Sequence, residues 1–353
     1  MRLPLLVGFE GTEVPPWLAS DLEMGRVQGV ILFARNLESL GQVEALVDEL
    51  RSRASACLVA IDQEGGRVQR LRAPFPELPT MGAVGRLGRK TVAGRCGALL
   101  AVGLRKLGIN VDFAPVLDLD LRPGNAVVGD RSFGAEPALV SRLGAAFVDG
   151  LQAAGVAGCA KHFPGHGDTD QDSHSALPTV EADEDTLRRR DLSPFRAAIL
   201  AEVASVMTAH VRYPAVDERP ATRSFEWIER RLRTELGFQG VVFSDDLDMV
   251  GFGADVEAGA VEALAAGCDG LLACRRPETV EAIRTGLERA LTDGHVSQHR
   301  LDLALGRLGH MASAFPPHAH TSGEESWEAL AEEAEALRAL VQDRASGLDP
   351  TVS

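Results

Sequence analysis

Eight short segments of this chain are largely unbroken apolar runs, several of them closing on a charged residue: LPLLVGF (3 to 9), GVILFA (29 to 34), CLVAID (57 to 62), NVDFAPV (110 to 116), VAGCAKHF (156 to 163), ASVMTAHV (204 to 211), GVVFSDD (240 to 246) and GLLAC (270 to 274). A strand with one wet face alternates apolar and polar residues, whereas a parallel strand covered on both faces reads as a continuous apolar run. Between the runs lie segments such as QVEALVDELRSR (42 to 53), LVSRLGAAFVDGLQAAG (139 to 155), DLSPFRAAILAE (191 to 202) and VEAGAVEALAAG (256 to 267). Their apolar residues recur at three- and four-residue intervals, the period of an amphipathic helix. Eight strands alternating with helices predict an α/β fold, a (β/α)8 TIM-type barrel. A doubly wound open sheet is the structural alternative.

After residue 310 the chain becomes rich in Pro, His and Ser, and then SWEALAEEAEALRALVQ carries one more helical period. The expected organisation is a single catalytic domain over residues 1–345, with the barrel at about 3–310, an appended C-terminal helix at about 323–341 and a disordered tail at 346–353.

A formal net charge of -15, with no basic run interleaved with aromatics, argues against nucleic acid as a partner. No apolar stretch reaches the roughly 18 to 20 residues that cross a bilayer, so no membrane partner is expected. MRLPLLVGFEGTE has no small-residue cleavage site and reads as a strand, which predicts a soluble cytoplasmic protein. Cys57, Cys96, Cys159, Cys268 and Cys274 are odd in number, widely spaced and set mostly in apolar runs, as buried reduced thiols are.

In such a barrel the site sits where the strands end at their C-terminal side. Here the runs end in Asp62, in Lys161 and His162, in His210, and in Asp245 and Asp246. A carboxylate on a rigid strand end, as Asp245 is, can act as a nucleophile or stabilise positive charge, or it can cap the next helix. Asp246 fits capping or support better. Lys161 at the end of an apolar run requires a partner, either sugar hydroxyls or a neighbouring strand-end carboxylate. In AIDQEGGRVQRL, Gly65 and Gly66 allow a tight turn, and Arg67 and Arg70 then fall at what reads as a helix start. Asp62 and Arg70 can both reach a polyhydroxyl ligand from there, or simply pair. Arg131, in VVGDRSFGAEP, suits bidentate anchoring of a carboxylate or a pair of hydroxyls, or pairs with an acid. Asp112, Asp118 and Asp120 are expected to organise the rim, and His210 to be structural.

KHFPGHGDTDQDSH is a loop crowded with titratable groups. Asp172 and His174 are two residues apart, so the carboxylate can hold the imidazole in one tautomer for proton transfer near neutral pH. Metal binding by His162, His166, Asp172, His174 and His210 is the competing reading, although the spacing matches no familiar metal motif.

Taken in order, GVILFARN, IDQEGGRVQRL, NVDFAPVLDLD, GDRSFG, KHFPGHGDTDQDSH, MTAHVRYPAVD and GFQGVVFSDDLDM resemble the single-domain bacterial β-N-acetylglucosaminidases of glycoside hydrolase family three, the type associated with peptidoglycan recycling. The resemblance runs from about residue 3 to about residue 310. It implies a retaining exo-β-N-acetylglucosaminidase acting on muropeptide fragments, with Asp245 as nucleophile and His174 as acid/base supported by Asp172. It also implies that Asp62, Arg70, Arg131, Lys161 and His162 bind the sugar, that Gly165 and Gly167 lend the loop mobility, and that no metal or organic cofactor takes part. A small carbohydrate is the expected partner and the monomer the expected state. A β-glucosidase or a phosphorylase of the same family is the nearest alternative, and a catalytically inactive sugar-binding protein is the alternative from another class.

Overall fold

The structure is a computed structural model that describes residues 1–122, 125, 127–169, 177–316 and 325–346. Each of the eight apolar runs contains a strand: β1 Leu5–Val7, β2 Gly29–Leu32, β3 Leu58–Ile61, β4 Val111–Asp112, β5 Ala157–Phe163, β6 Ser205–Thr208, β7 Val241–Asp246 and β8 Gly270–Ala273. All pairings among them are parallel, and β1 pairs with both β2 and β8, which closes the sheet into a barrel. The open-sheet alternative is thereby excluded.

The reason for the continuous apolar runs is visible in how each strand divides its side chains. Leu5 and Val7 face the outer helices while Leu6 faces the barrel axis, and in the same way Val30 and Leu32 point out while Ile31 points in. Both sides are dry, so no position along a strand has reason to be polar until its end. Inside the barrel, Leu6, Ile31, Leu58, Phe113, Met207, Phe243 and Leu272 pack together, with Phe113 and Phe243 edge to face at 5.4 Å. The end of the barrel opposite the site is covered by the Gln298–Ala314 helix, whose Leu308 and Met311 belong to this inner cluster. Asp269, fully buried just before β8, fastens that helix by accepting from Arg300 at 2.8 Å and Arg307 at 3.0 Å.

Two local expectations change. Arg67 and Arg70 are not at a helix start: Gln63–Gly65 and Val68–Gln69 form an antiparallel hairpin. Gly65 and Gly66 both take positive φ (100° and 57°), which reverses the chain at a point where a helix would need to begin. The buried Gln63 side chain then locks the return strand by accepting from the N–H groups of Arg70 and Leu71. The C-terminal helix is Trp327–Ser346, running past its expected end near 341. Its Leu330, Ala334, Leu337 and Val341 are buried, and Trp327 packs on Phe75 with ring centroids 5.9 Å apart. The Pro- and His-rich stretch at 317–324 and residues 347–353 lie outside the described residues. All five cysteines are free and buried, as their apolar settings predict.

Candidate active site

At the C-terminal ends of the strands lies a cavity of about 230 Å³, room for a group of monosaccharide size. Asp62, Arg70, Arg131, Lys161, His162 and Asp245 all line it, although up to 183 residues separate them in sequence (245 − 62). Asp172 and His174, the expected proton-transfer pair, lie outside the described residues.

The polar wall is built around Lys161, near the end of β5 and only 2% exposed. Its ammonium donates to Asp62 Oδ1 at 2.8 Å and lies 2.6 Å from Glu64 Oε1. Arg131 grips the same Glu64 with two parallel bonds of 2.8 Å, from Nε to Oε2 and from Nη2 to Oε1. Arg70 donates to the second oxygen of Asp62 at 3.3 Å. Lys161 therefore has the partner its position required, and that partner is two carboxylates at once. Burial by itself would raise the Glu64 carboxyl, but the Arg131 and Lys161 charges overcome it and hold Glu64 well below the usual carboxylate range. Asp62 is likewise lowered, burial being outweighed by Lys161 and Arg70. Burial disfavours the Lys161 ammonium, yet Asp62 and Glu64 keep it charged and raise it above the ordinary lysine value.

Glu64 was not among the residues to which the sequence pointed. The available signal was its spacing: two residues beyond Asp62 in extended chain, it projects to the same side. What no spacing gives is that Arg131, after β4, and Lys161, on β5, converge on it.

His162 follows Lys161 at the strand end. Its Nδ1 lies 2.6 Å from Asp118 Oδ2, and its backbone N–H donates to Asp118 Oδ1 at 3.1 Å. The next turn is tied to the same oxygen, because the His166 N–H donates to Asp118 Oδ1 at 2.6 Å. Asp118 is fully buried and thus organises the rim, as expected, but by holding histidines. The start of the titratable loop is firmly seated. A Cβ on Gly167 would lie 1.8 Å from the Leu119 carbonyl oxygen, so this glycine is required for close approach.

Across the cavity, Asp245 sits on β7, half-buried, with Oδ1 accepting from the Asp246 N–H at 2.8 Å. Burial would raise its carboxyl; the His162 and His210 imidazoles, that N–H and Lys161 more than offset it and hold Asp245 below the usual range, ionised at neutral pH. Asp246 differs sharply. Burial pushes it up to about 6, and its Oδ1 accepts from the N–H groups of Asp248 and Cys274, the supporting job expected of it. His210 is buried with both nitrogens engaged, Nδ1 with the Thr222 hydroxyl at 2.8 Å and Nε2 with the Asp246 carbonyl at 3.1 Å. His166 Nδ1 meets the Thr169 hydroxyl at 2.8 Å. Among the described residues, no group of three or more His, Cys, Asp or Glu side chains is arranged to hold a metal ion.

This arrangement pairs one ionised, half-exposed carboxylate with a facing set of fixed donors, Lys161, Arg70 and Arg131. Such a set can hold hydroxyl groups while the carboxylate meets an electron-poor carbon. Met207, Met249, Leu272 and Cys274 supply apolar surface in the same cavity.

Residues 14–311 match the family described as "Glycosyl hydrolase family 3 N terminal domain". A "Beta-hexosaminidase" of Pseudomonas aeruginosa is 42% identical over 296 residues, covering 82% of this chain and 87% of the relative. Among solved structures, a glycoside hydrolase family 3 beta-N-acetylglucosaminidase from Paenibacillus sp. is similar, with a TM-score of 0.89 and 40% identity over 95% of this chain and 67% of that one. NagZ from Neisseria gonorrhoeae, in complex with N-trifluoroacetyl-D-glucosamine, is similar with a TM-score of 0.81 and 36% identity over 97% of this chain and 98% of that one.

Proposed function

This chain belongs to glycosyl hydrolase family 3 and is a glycoside hydrolase, and on that premise we propose that it is a retaining exo-β-N-acetylglucosaminidase. The observation that carries the reading is the ionised Asp245 carboxylate facing the Lys161, Arg131, Arg70 and Asp62 wall across a cavity of monosaccharide size. A single-sugar cavity suits removal of one terminal residue. The substrate class is a β-N-acetylglucosaminide, with peptidoglycan-derived muropeptides as the natural source. The relatives' names support the sugar, and the five free, buried cysteines fit a reducing cytoplasm.

In the proposed reaction an Asp245 oxygen attacks the anomeric carbon as the bond to the leaving oxygen breaks, and His174, supported by Asp172, gives that oxygen a proton. Water then attacks the same carbon, the Asp245 ester bond breaks, and His174 takes up the water's proton. Retention follows from the two displacements. Lys161, His162, Arg131, Arg70 and Asp62 hold the sugar hydroxyls throughout.

The test compares turnover of aryl β-N-acetylglucosaminide and aryl β-glucoside, with and without phosphate, in the parent protein and in Asp245→Ala. The N-acetylglucosaminide is expected to be preferred, with no dependence on phosphate and a loss of at least roughly a thousandfold in kcat in the variant. Full activity of Asp245→Ala overturns the mechanism, and phosphate-dependent turnover replaces hydrolysis with phosphorolysis.

A further inference from the structure

We propose that Asp118 is a positioning residue that fixes His162 as a hydrogen-bond acceptor toward the sugar, so that the hydroxyl His162 meets is required to donate. The inference rests on the reading of the cavity as a sugar site and adds a specificity rule to it.

It starts from the three donors that Asp118 accepts. Oδ1 is taken by two backbone N–H groups, those of His162 and His166, which can only donate. Oδ2 faces His162 Nδ1 at 2.6 Å. Burial opposes the Asp118 charge, but the charge of the His162 ring when protonated, and the hydrogen bonds from that ring and from His166 in either state, hold its carboxyl below the ordinary range. An ionised carboxylate is acceptor-only, so the proton between the two side chains belongs to Nδ1. In a neutral imidazole the other nitrogen then carries a lone pair. The Nδ1 edge of His162 is turned inward to Asp118 and the ring lines the cavity, which leaves Nε2 for the ligand.

In the neighbouring wall Lys161, Arg70 and Arg131 are obligate donors that accept nothing, and the Asp62 and Glu64 carboxylates among them are already taken by those cations. A hydroxyl set between those cations and Nε2 satisfies both sides: its oxygen accepts from a cation and its hydrogen goes to Nε2. A fluorine or an ether oxygen can do only the first. A polar site left unpaired in this way discriminates more strongly than an apolar pocket does.

Asp118→Asn isolates the effect. The two backbone N–H groups retain the amide oxygen, so the amide NH2 is directed at His162 Nδ1. Nδ1 then becomes the acceptor, and the proton moves to Nε2. The frame persists while the face shown to the sugar changes from acceptor to donor.

The decisive measurement is two-bond 15N–1H correlation of the histidine rings at alkaline pH, with the His162 signals identified by their loss in His162→Gln. The parent protein is expected to show the Nδ1–H tautomer, and a folded Asp118→Asn the Nε2–H tautomer. In parallel, aryl N-acetylglucosaminides with each free ring hydroxyl singly replaced by fluorine are compared. One position in the parent protein is expected to lose roughly tenfold or more in kcat/KM, and Asp118→Asn to narrow that ratio while lowering turnover of the unmodified substrate by about the same factor. An Nε2–H tautomer in the parent protein overturns the proposal, as does unchanged fluorine discrimination in a folded variant. If Asp118→Asn does not fold, the parent tautomer and fluorine series alone decide. The tautomer is read without turnover, so a failure of the proposed hydrolysis is distinguished from a failure of the Asp118 clamp.

Discussion

Glu64→Gln tests whether the polar wall is one coupled unit. The Glu64 carboxylate is 2% exposed, and it neutralises Lys161, also 2% exposed, and Arg131, 13% exposed. Glutamine keeps the size and one acceptor oxygen but leaves Lys161 with only Asp62, which Arg70 also holds, as a carboxylate partner, and Arg131 with the Val127 carbonyl. Removing one partner of a buried, hydrogen-bonded charge cluster costs about 3–5 kcal/mol. With an unfolding entropy of about 2.1 cal/mol/K per residue, that corresponds to a melting temperature lower by roughly 4–7 °C. The sign with pH follows from Glu64 titrating lower in the folded protein than its ordinary value of 4.5. Its contribution is fully present above that value and is lost as the pH falls through the folded one, so the gap between parent and variant holds at neutral pH and closes in acid. Turnover is also expected to suffer, by about ten- to a hundredfold in kcat/KM, because the donors facing Asp245 lose their fixed geometry. Melting curves across pH and kinetics on an aryl β-N-acetylglucosaminide read both effects. A variant with the parent's melting curve and kinetics at neutral pH would refute the coupling.

Asp246→Asn is expected to raise stability above pH 6 by on the order of 3 kcal/mol. The Asp246 carboxyl titrates higher in the folded protein, so its contribution is complete below the ordinary value of 3.8 and is lost as the pH rises through about 6. Parallel melting curves for parent and variant between acid and neutral pH would contradict this. Gly167→Ala forces a methyl group toward the Leu119 carbonyl and is expected to cost about 1–3 kcal/mol. Because the proposed proton-transfer segment continues from this point, kcat should fall more than KM changes; a normal kcat with lowered stability would separate packing from catalysis.

What the sequence determined by itself was whatever depends on neighbours along the chain. Uninterrupted apolar runs follow from strands dry on both faces, and this is why Leu5, Leu6 and Val7 divide between two cores without any alternation in polarity. The same logic puts the first polar residues, Asp62, Lys161 and Asp245, at the strand ends, so the rim was legible from residue order alone. The hairpin at Gln63–Gln69 was not, because two positive-φ glycines and a buried glutamine override the spacing of Arg67 and Arg70. Nor was the role of Glu64 or Asp118. Each acts through partners brought close only by barrel closure: Arg131 and Lys161 for Glu64, His162 and His166 for Asp118. Coulomb interaction and hydrogen bonding depend on distance in space, and closing the barrel sets those distances. The sequence supplied charged residues at a rim, and the tertiary structure decided which of them are paired, which nitrogen of His162 faces Asp118, and that Asp245 shares a cavity with the cations held by Asp62 and Glu64.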